Sequence, residues 1–226
     1  MDSPYILEET ENYAVVFKPP KMHSEGLPKI NKDTTLNDWF ISQSGYNKMI
    51  RIMHRLDYET QGLVLFAKNE SSYLFFKSAQ DNGEFIKEYS ARVIKNDLNR
   101  DIPFIIESYF RPYGHGRKLV RPVIEDGKKH KEIAKDKGGF YRTEVINSEN
   151  NILTMRIKRG FRHQIRCHLW WIGYPIINDP LYSANEEQPA PDSILALRSH
   201  ALYFPDPIGG NMLEYRINKI DYPACE

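Results

Sequence analysis

An aspartate at the mouth of an apolar strand is the residue of this chain best equipped by its neighbours for chemistry. Residues 63–67 form an unbroken apolar run between Gly62 and Lys68, the pattern of a buried strand. Before it stand His54, Arg55 and Asp57, and residues 57–62 carry turn-forming types. If the approach to Asp57 is extended, Arg55 and Asp57 lie two apart and share one face, which pairs the carboxylate with a guanidinium. An ionised carboxylate held on such a turn can act as a nucleophile. It can equally be an Asx-turn residue that ties down its own loop, and most turn aspartates do nothing else.

Two further segments carry candidate chemistry. In residues 85–94, Tyr89, Ala91 and Val93 alternate with Glu88, Ser90 and Arg92, the period of a half-buried strand. On pattern alone Tyr89 is a core or cross-strand aromatic. Residues 160–173 read as a helix closed by Gly173, with Ile165, Leu169 and Ile172 on one face and His163, Arg166 and Trp170 on a neighbouring one. His163 and Cys167 are four apart there, a spacing that raises zinc. Arginines at 162 and 166 would repel a divalent cation, and no acid or second cysteine closes the set, so no metal is expected. His163 is better read as a hydrogen-bonding helix residue.

The string His54-Arg55-Leu56-Asp57-Tyr58-Glu59-Thr60-Gln61-Gly62-Leu63 resembles the H-R-L-D-x-x-T-S-G-L signature of the pseudouridine synthases, in particular their RluA-type branch, with Gln61 in place of serine. Lys87-Glu88-Tyr89-Ser90-Ala91 resembles the family's K-x-Y-x-A strand. Residues 160–173 resemble G-R-T-H-Q-I-R-V-H-L-x-x-x-G, with Phe161 where the first arginine stands and Arg162 next to it. Residues 175–182 resemble P-I-x-G-D-x-x-Y, with Asn178 for glycine, and residues 12–19 resemble the opening segment that ends in Lys-Pro. The motifs follow in the family's order over nearly the whole chain.

The resemblance implies an isomerase that converts uridine in RNA to pseudouridine. It makes Asp57 the nucleophile, Tyr89 a tyrosine that stacks on the target base and a candidate for removing its proton, and Arg166 the partner of the catalytic carboxylate. His54, Arg55, Arg162 and His163 are expected to contact substrate. The C1′–N1 bond breaks, the base turns over and C5 bonds to C1′, by attack of Asp57 on C1′ or through a glycal-like intermediate. The substrate supplies its own driving force, so no cofactor is expected. The target base has to leave its stack, so flipping is expected as well. Two other readings compete: a catalytically silent RNA-binding protein or chaperone on the same fold, and a glycoside hydrolase. The first would not need Asp57, Tyr89 and Arg166 together. The second lacks a second carboxylate at a catalytic turn.

Composition sets the frame for these residues. A chain of 226 residues with a charged fraction of 27% is expected to fold as a single catalytic domain, with no separate N-terminal RNA-binding module. No apolar run is long enough to cross a bilayer, no secretory signal opens the chain, and two cysteines imply no disulfide framework. A monomer in the reducing cytoplasm is the expectation, acting on rRNA or tRNA without a membrane. Net charge is only +1, but Arg111, Arg117, Lys118, Arg121, Lys128, Lys129 and Lys131 crowd one stretch, and Arg156, Lys158, Arg159, Arg162 and Arg166 another. The fold class expected is α+β: a mixed, largely antiparallel central sheet flanked by helices and loops. It comprises a hairpin within residues 5–17, a short helix capped by Thr34 or Thr35, a helix over 70–80 ended by Asn82-Gly83 and a hairpin turning at 147–151. Residues 97–137 read as an irregular basic excursion with room for short strand pairs, suited to substrate contact.

Overall fold

A computed structural model describes residues 3–26, 34–43, 49–94, 98, 100–124, 140–183, 189–190 and 192–220. In chain order these form β1 (Tyr5–Glu9), β2 (Tyr13–Lys18), α1 (Leu36–Gln43), β3 (Arg51–Ile52), β4 (Gln61–Ala67) and α2 (Glu70–Asp81). There follow β5 (Ile86–Arg92), β6 (Phe104–Tyr113), β7 (Leu119–Val123), β8 (Tyr141–Glu149) and β9 (Ile152–Ile157). The last elements are α3 (Gln164–Trp171), β10 (Leu197–Pro205) and β11 (Met212–Arg216). The strand pairing is mixed and largely antiparallel, as expected of this α+β chain. Lys128, Lys129 and Lys131 of the first basic stretch lie outside the described residues. Among the described residues no helix is long and apolar enough to cross a membrane.

Two compact units emerge, one of Met1–Lys87 with Arg198–Lys219, the other of Glu88–Leu197 with Ile220–Glu226. In the first, strands run in the order β1-β2-β4-β10, with β3 on β4 and β11 on β10. The parallel contact is β4 against β10, where Gln61 faces Arg198 and Gly62 faces Ser199. Every residue of β4 is buried, because both of its faces are covered. Leu63, Leu65 and Ala67 join Tyr13, Phe76 of α2 and Phe204 in one cluster. Phe66, on the other face, meets Phe40 of α1 at 4.6 Å between ring centroids.

Local chemistry sets the helix ends. Thr35 and Asp38 bond reciprocally at the start of α1, with the Asp38 amide donating to Thr35 Oγ1 and the Thr35 amide to Asp38 Oδ2. Asn69 caps α2 by accepting from the Ser72 amide at 2.8 Å. Gly83, with φ +73°, ends it at the expected place, and the Glu84 amide closes on the Ala79 carbonyl.

In the second unit the order is β5-β9-β8-β6-β7, and β8 pairs antiparallel with both β9 and β6. Two expectations are refined here. The stretch read as irregular, with room for short strand pairs, holds β6 and β7, a regular antiparallel hairpin longer than such a pair that takes in Tyr109, Phe110, Arg111 and Pro112. Its proline and glycine content hid the alternation that buries Ile106, Ser108 and Phe110, and prolines are tolerated on the edge strand β7. The β8–β9 turn is tighter than expected: strand pairing reaches Glu149, and Asn150 and Asn151 turn the chain at φ +51° and +63°.

Candidate functional site

Asp57 lies in the loop that joins β3 to β4, and the loop is pinned from three directions within the first unit. Ser24 Oγ donates to the Leu56 carbonyl at 2.9 Å and accepts from the Leu56 amide at 3.0 Å, fixing the residue just before Asp57. The Thr60 amide donates to the Asp57 carbonyl at 3.1 Å, closing the turn. Lys18, fully buried, donates its ammonium to the carbonyls of Pro19 at 2.8 Å, Met22 at 2.7 Å and Tyr58 at 3.3 Å. It thereby ties the end of β2 to the residue after Asp57. Asp57 itself stays partly exposed.

The far end of the turn is set by contact with β10. Gly62 has φ +129°, and a Cβ there would lie 2.2 Å from the Ser199 carbonyl oxygen, so the position admits glycine alone. Gln61, standing where the signature has serine, is buried and accepts from Arg198 Nη2 at 2.8 Å and Nε at 3.2 Å. Substitution at this position has brought in a partner instead of leaving a gap.

Neither of the residues next to Asp57 is placed as expected. Arg55 pairs with Glu25 at 2.7 Å, at a solvent-exposed site, and not with Asp57. The Nε2 of His54 accepts from the Leu65 amide at 3.3 Å, and the ring meets Phe85 edge-on at 5.3 Å. Its Nδ1 is buried without a hydrogen-bond partner among the described residues. Burial, reinforced by the charge on Lys87, holds its pKa well below the ordinary histidine value. The ring in this placement anchors β4 through the Leu65 amide.

The second unit holds the remaining candidates. Tyr89, on β5, is buried at 6% exposure. Arg166, on α3, is buried as well, and its guanidinium forks onto Asp179 with Nε–Oδ2 at 2.8 Å and Nη2–Oδ1 at 2.7 Å. Asp179 Oδ1 also accepts from the amides of Leu181 and Tyr182 at 2.8 and 3.0 Å. Tyr182 then accepts from the Val120 amide at 2.8 Å and donates to the Val120 carbonyl at 3.1 Å. Arg166 is therefore the head of a fixed chain of bonds. Sequence reasoning missed Asp179 as its partner; the available signal was an aspartate, followed by proline, set to cap its own turn.

The segment before α3 is not helical. His163 is the N-cap, in the left-handed region at φ +57°, which corrects its expected place on a helix face. Gln164 takes over the local bonding: it accepts from the Phe161 amide and donates to the Arg142 carbonyl, both at 2.9 Å. From its cap position His163 reaches Tyr182 through Nδ1 at 3.3 Å. Phe161 stacks on Phe110 at 5.1 Å and is a packing residue, which explains an apolar side chain where the motif has arginine. Arg162 is exposed and donates to the carbonyls of Arg117 at 2.7 Å and Leu119 at 3.4 Å. Cys167 donates its thiol to the Val120 carbonyl at 3.3 Å, and burial pushes its pKa up to about 12. Among the described residues no three His, Cys, Asp or Glu side chains gather as a metal site.

Residues 12–171 match the sequence profile of the RNA pseudouridylate synthases. The chain belongs to that family. Asp57, Tyr89 and Arg166 all fall inside the matched span, and Asp179 lies beyond it. Among curated proteins, the chain is 30% identical over 181 residues to an uncharacterized Caenorhabditis elegans protein, covering 79% of this chain and 39% of that one. It is 25% identical over 229 residues to a Rickettsia typhi protein named ribosomal large subunit pseudouridine synthase C, covering 93% of this chain and 66% of the relative. The chain thus spans less than two thirds of the length of each of these two relatives. Among solved structures, human RNA pseudouridylate synthase domain containing 1 superposes with a TM-score of 0.74 at 17% identity, over 98% of this chain and 86% of that one, a likeness of fold.

Proposed function

We propose that this chain isomerises uridine to pseudouridine in RNA, with Asp57 as the nucleophile. The observation that carries the reading is the Asp57 loop: it is held by Ser24, Lys18 and its own turn, yet leaves Asp57 partly exposed. Such a group meets a substrate without first reorganising, the condition under which positioning contributes most to rate. Tyr89 is assigned to stack on the uracil and Arg166 to supply positive charge to the reaction. The C1′–N1 bond breaks, the C5–C1′ bond forms, and the C5 proton is balanced by one gained at N1. No cofactor enters that balance. The substrate class proposed is rRNA or tRNA, with rRNA favoured by the name of the Rickettsia relative. The working form proposed is a cytoplasmic monomer. Site-resolved pseudouridine mapping of total RNA, with and without the protein, tests the reading. At least one uridine should be modified only when the protein is present; an unchanged map would remove the activity.

Lys18 carries a second expectation. Burial lowers its pKa from 10.5 to about 7, against the opposing pull of Asp57 and Glu59. Between these values the unfolded chain binds the extra proton, so Lys18 contributes stability that grows as pH rises from about 7 to 10.5. Its grip on the loop runs the other way, since a neutral amine bonds carbonyls more weakly than an ammonium. Turnover should therefore fall as pH rises through about 7 while global stability climbs. Lys18→Met should lower kcat by about 10-fold or more and erase both trends, because misplacing a reacting group by about 1 Å costs rate on the order of 10²-fold. Paired pH–rate and denaturant profiles read this out, and wild-type trends in the variant would release Lys18 from the role.

A further inference from the structure

Lys18 grips the Asp57 loop at its near end, and a second long cation grips the far end. Gln61, the first residue of β4, stands where the family signature has serine. Its buried amide oxygen accepts two hydrogen bonds from one guanidinium, Arg198 Nη2 at 2.8 Å and Nε at 3.2 Å. A serine hydroxyl would end short of that fork. Arg198 Nη1 donates in turn to the Asn218 carbonyl at 3.2 Å, so the guanidinium bridges β4 to the chain just past β11. Arg198 lies beyond the matched residues 12–171, and family membership assigns it no role.

The bridge bears on Asp57 through a short run of backbone. The Thr60 amide donates to the Asp57 carbonyl at 3.1 Å, and Thr60 is joined directly to Gln61. The parallel contact of β4 with β10 has two register pairs, Gln61 with Arg198 and Gly62 with Ser199. So short a ladder holds few backbone bonds, and the charged side-chain fork is a large part of what fixes its register. Without Arg198 the buried Gln61 oxygen loses both donors, and the end of the turn gains freedom to shift. Arg198 can also be reached from solvent: with Tyr5, Phe17, Ile217 and Asn218 it lines an open cleft of about 330 Å³.

We propose that Arg198 is a positioning residue, acting through Gln61 to fix the turn that carries Asp57. The proposal rests on the reading of Asp57 as the nucleophile of uridine isomerisation. In single-turnover assays Arg198→Ala should slow pseudouridine formation about 10-fold or more, since misplacing a reacting group by about 1 Å costs on the order of 10²-fold. RNA affinity, read by fluorescence anisotropy, should stay at the wild-type value. Arg198→Lys should stay slow, because an ammonium lacks the planar fork. Millimolar guanidinium chloride should return part of the lost rate to Arg198→Ala by entering the cleft, where equal sodium chloride should not. Gln61→Met with Arg198→Ala should be no slower than the slower single variant, as expected of two groups that act as one. The placement itself is read without turnover, by hydrogen exchange of the Thr60 amide. That proton should exchange about 10-fold faster or more in Arg198→Ala, a charged hydrogen bond having been lost. If thermal melting shows Arg198→Ala to be misfolded, Gln61→Met, which keeps the volume and loses the acceptor, should show the same slowing and faster exchange. A wild-type rate in a folded variant would overturn the proposal, as would losses that multiply in the pair. Equal recovery with sodium chloride, or slowed turnover with unchanged Thr60 exchange, would overturn it too. Faster exchange in the variant, beside a wild-type chain that makes no pseudouridine, would remove the isomerase reading and leave Arg198 as the clamp of the loop.

Discussion

Asp57→Asn should make no pseudouridine in RNA that the wild-type chain modifies, a loss on the order of 10⁴-fold or more in rate if removing a nucleophile here resembles other cases. The amide keeps the shape of the side chain and lacks the charge, so it cannot act as the nucleophile. The fold should survive. The loop is held by the Leu56 backbone on Ser24, by the Asp57 carbonyl and by Lys18 on the Tyr58 carbonyl, and none of these bonds uses the Asp57 side chain. RNA affinity should stay close to wild type, because phosphate contacts supply most of it. Thermal melting, anisotropy with labelled RNA and single-turnover product analysis read the three quantities separately. Product formed by the variant at the wild-type rate would strip Asp57 of its role.

Breaking the Arg166–Asp179 pair should have the largest effect on stability. Both side chains are almost completely sealed from solvent, and removing one partner of such a pair leaves a buried charge uncompensated, at a cost of about 3–5 kcal/mol. Asp179→Ala should reach this range, since the amides of Leu181 and Tyr182 lose their acceptor along with Arg166. Arg166→Met with Asp179→Leu removes both charges and should recover much of the lost stability. It should not recover turnover if Arg166 supplies charge to the reaction. Denaturant unfolding and single-turnover rates on the three variants separate the outcomes: a stable double variant with wild-type rates would make the pair a structural device only.

Much of this was legible in the residues. The run at 63–67 announced a strand covered on both faces, and the Asn82-Gly83 pair marked the end of α2, because each is a local property of the chain. The β6–β7 hairpin was legible only as room for a short strand pair without bounds, since Pro112 and Pro122 argue against strands unless one knows that β7 lies at an edge. At the site, Asp57 was marked by its turn and its motif, whereas its supports were not. Lys18 reaches the Tyr58 carbonyl across 40 positions and Asp179 meets Arg166 across 13, and no periodicity encodes such partnerships. The pairing expected from sequence spacing, Arg55 with Asp57, lost to Glu25, which lies 30 positions away. Two residues on a shared strand face need not bond when a better-placed carboxylate arrives from another loop.

The contact between Gly62 and Ser199 has a bearing on how the protein is made. Gln61 and Arg198, the neighbouring pair, are separated by 137 positions, so the strand that abuts the end of the Asp57 loop leaves the ribosome long after the loop itself. Nearly all of the second unit, Glu88–Leu197, is synthesised before β10 exists to complete the sheet of the first. Until then the Gln61–Gly62 end of β4, beyond the stretch covered by β3, lacks its neighbour, the kind of edge that invites foreign strands. Nascent chains stopped before residue 198 should therefore be prone to aggregation, with an Asp57 loop not yet locked at its far end.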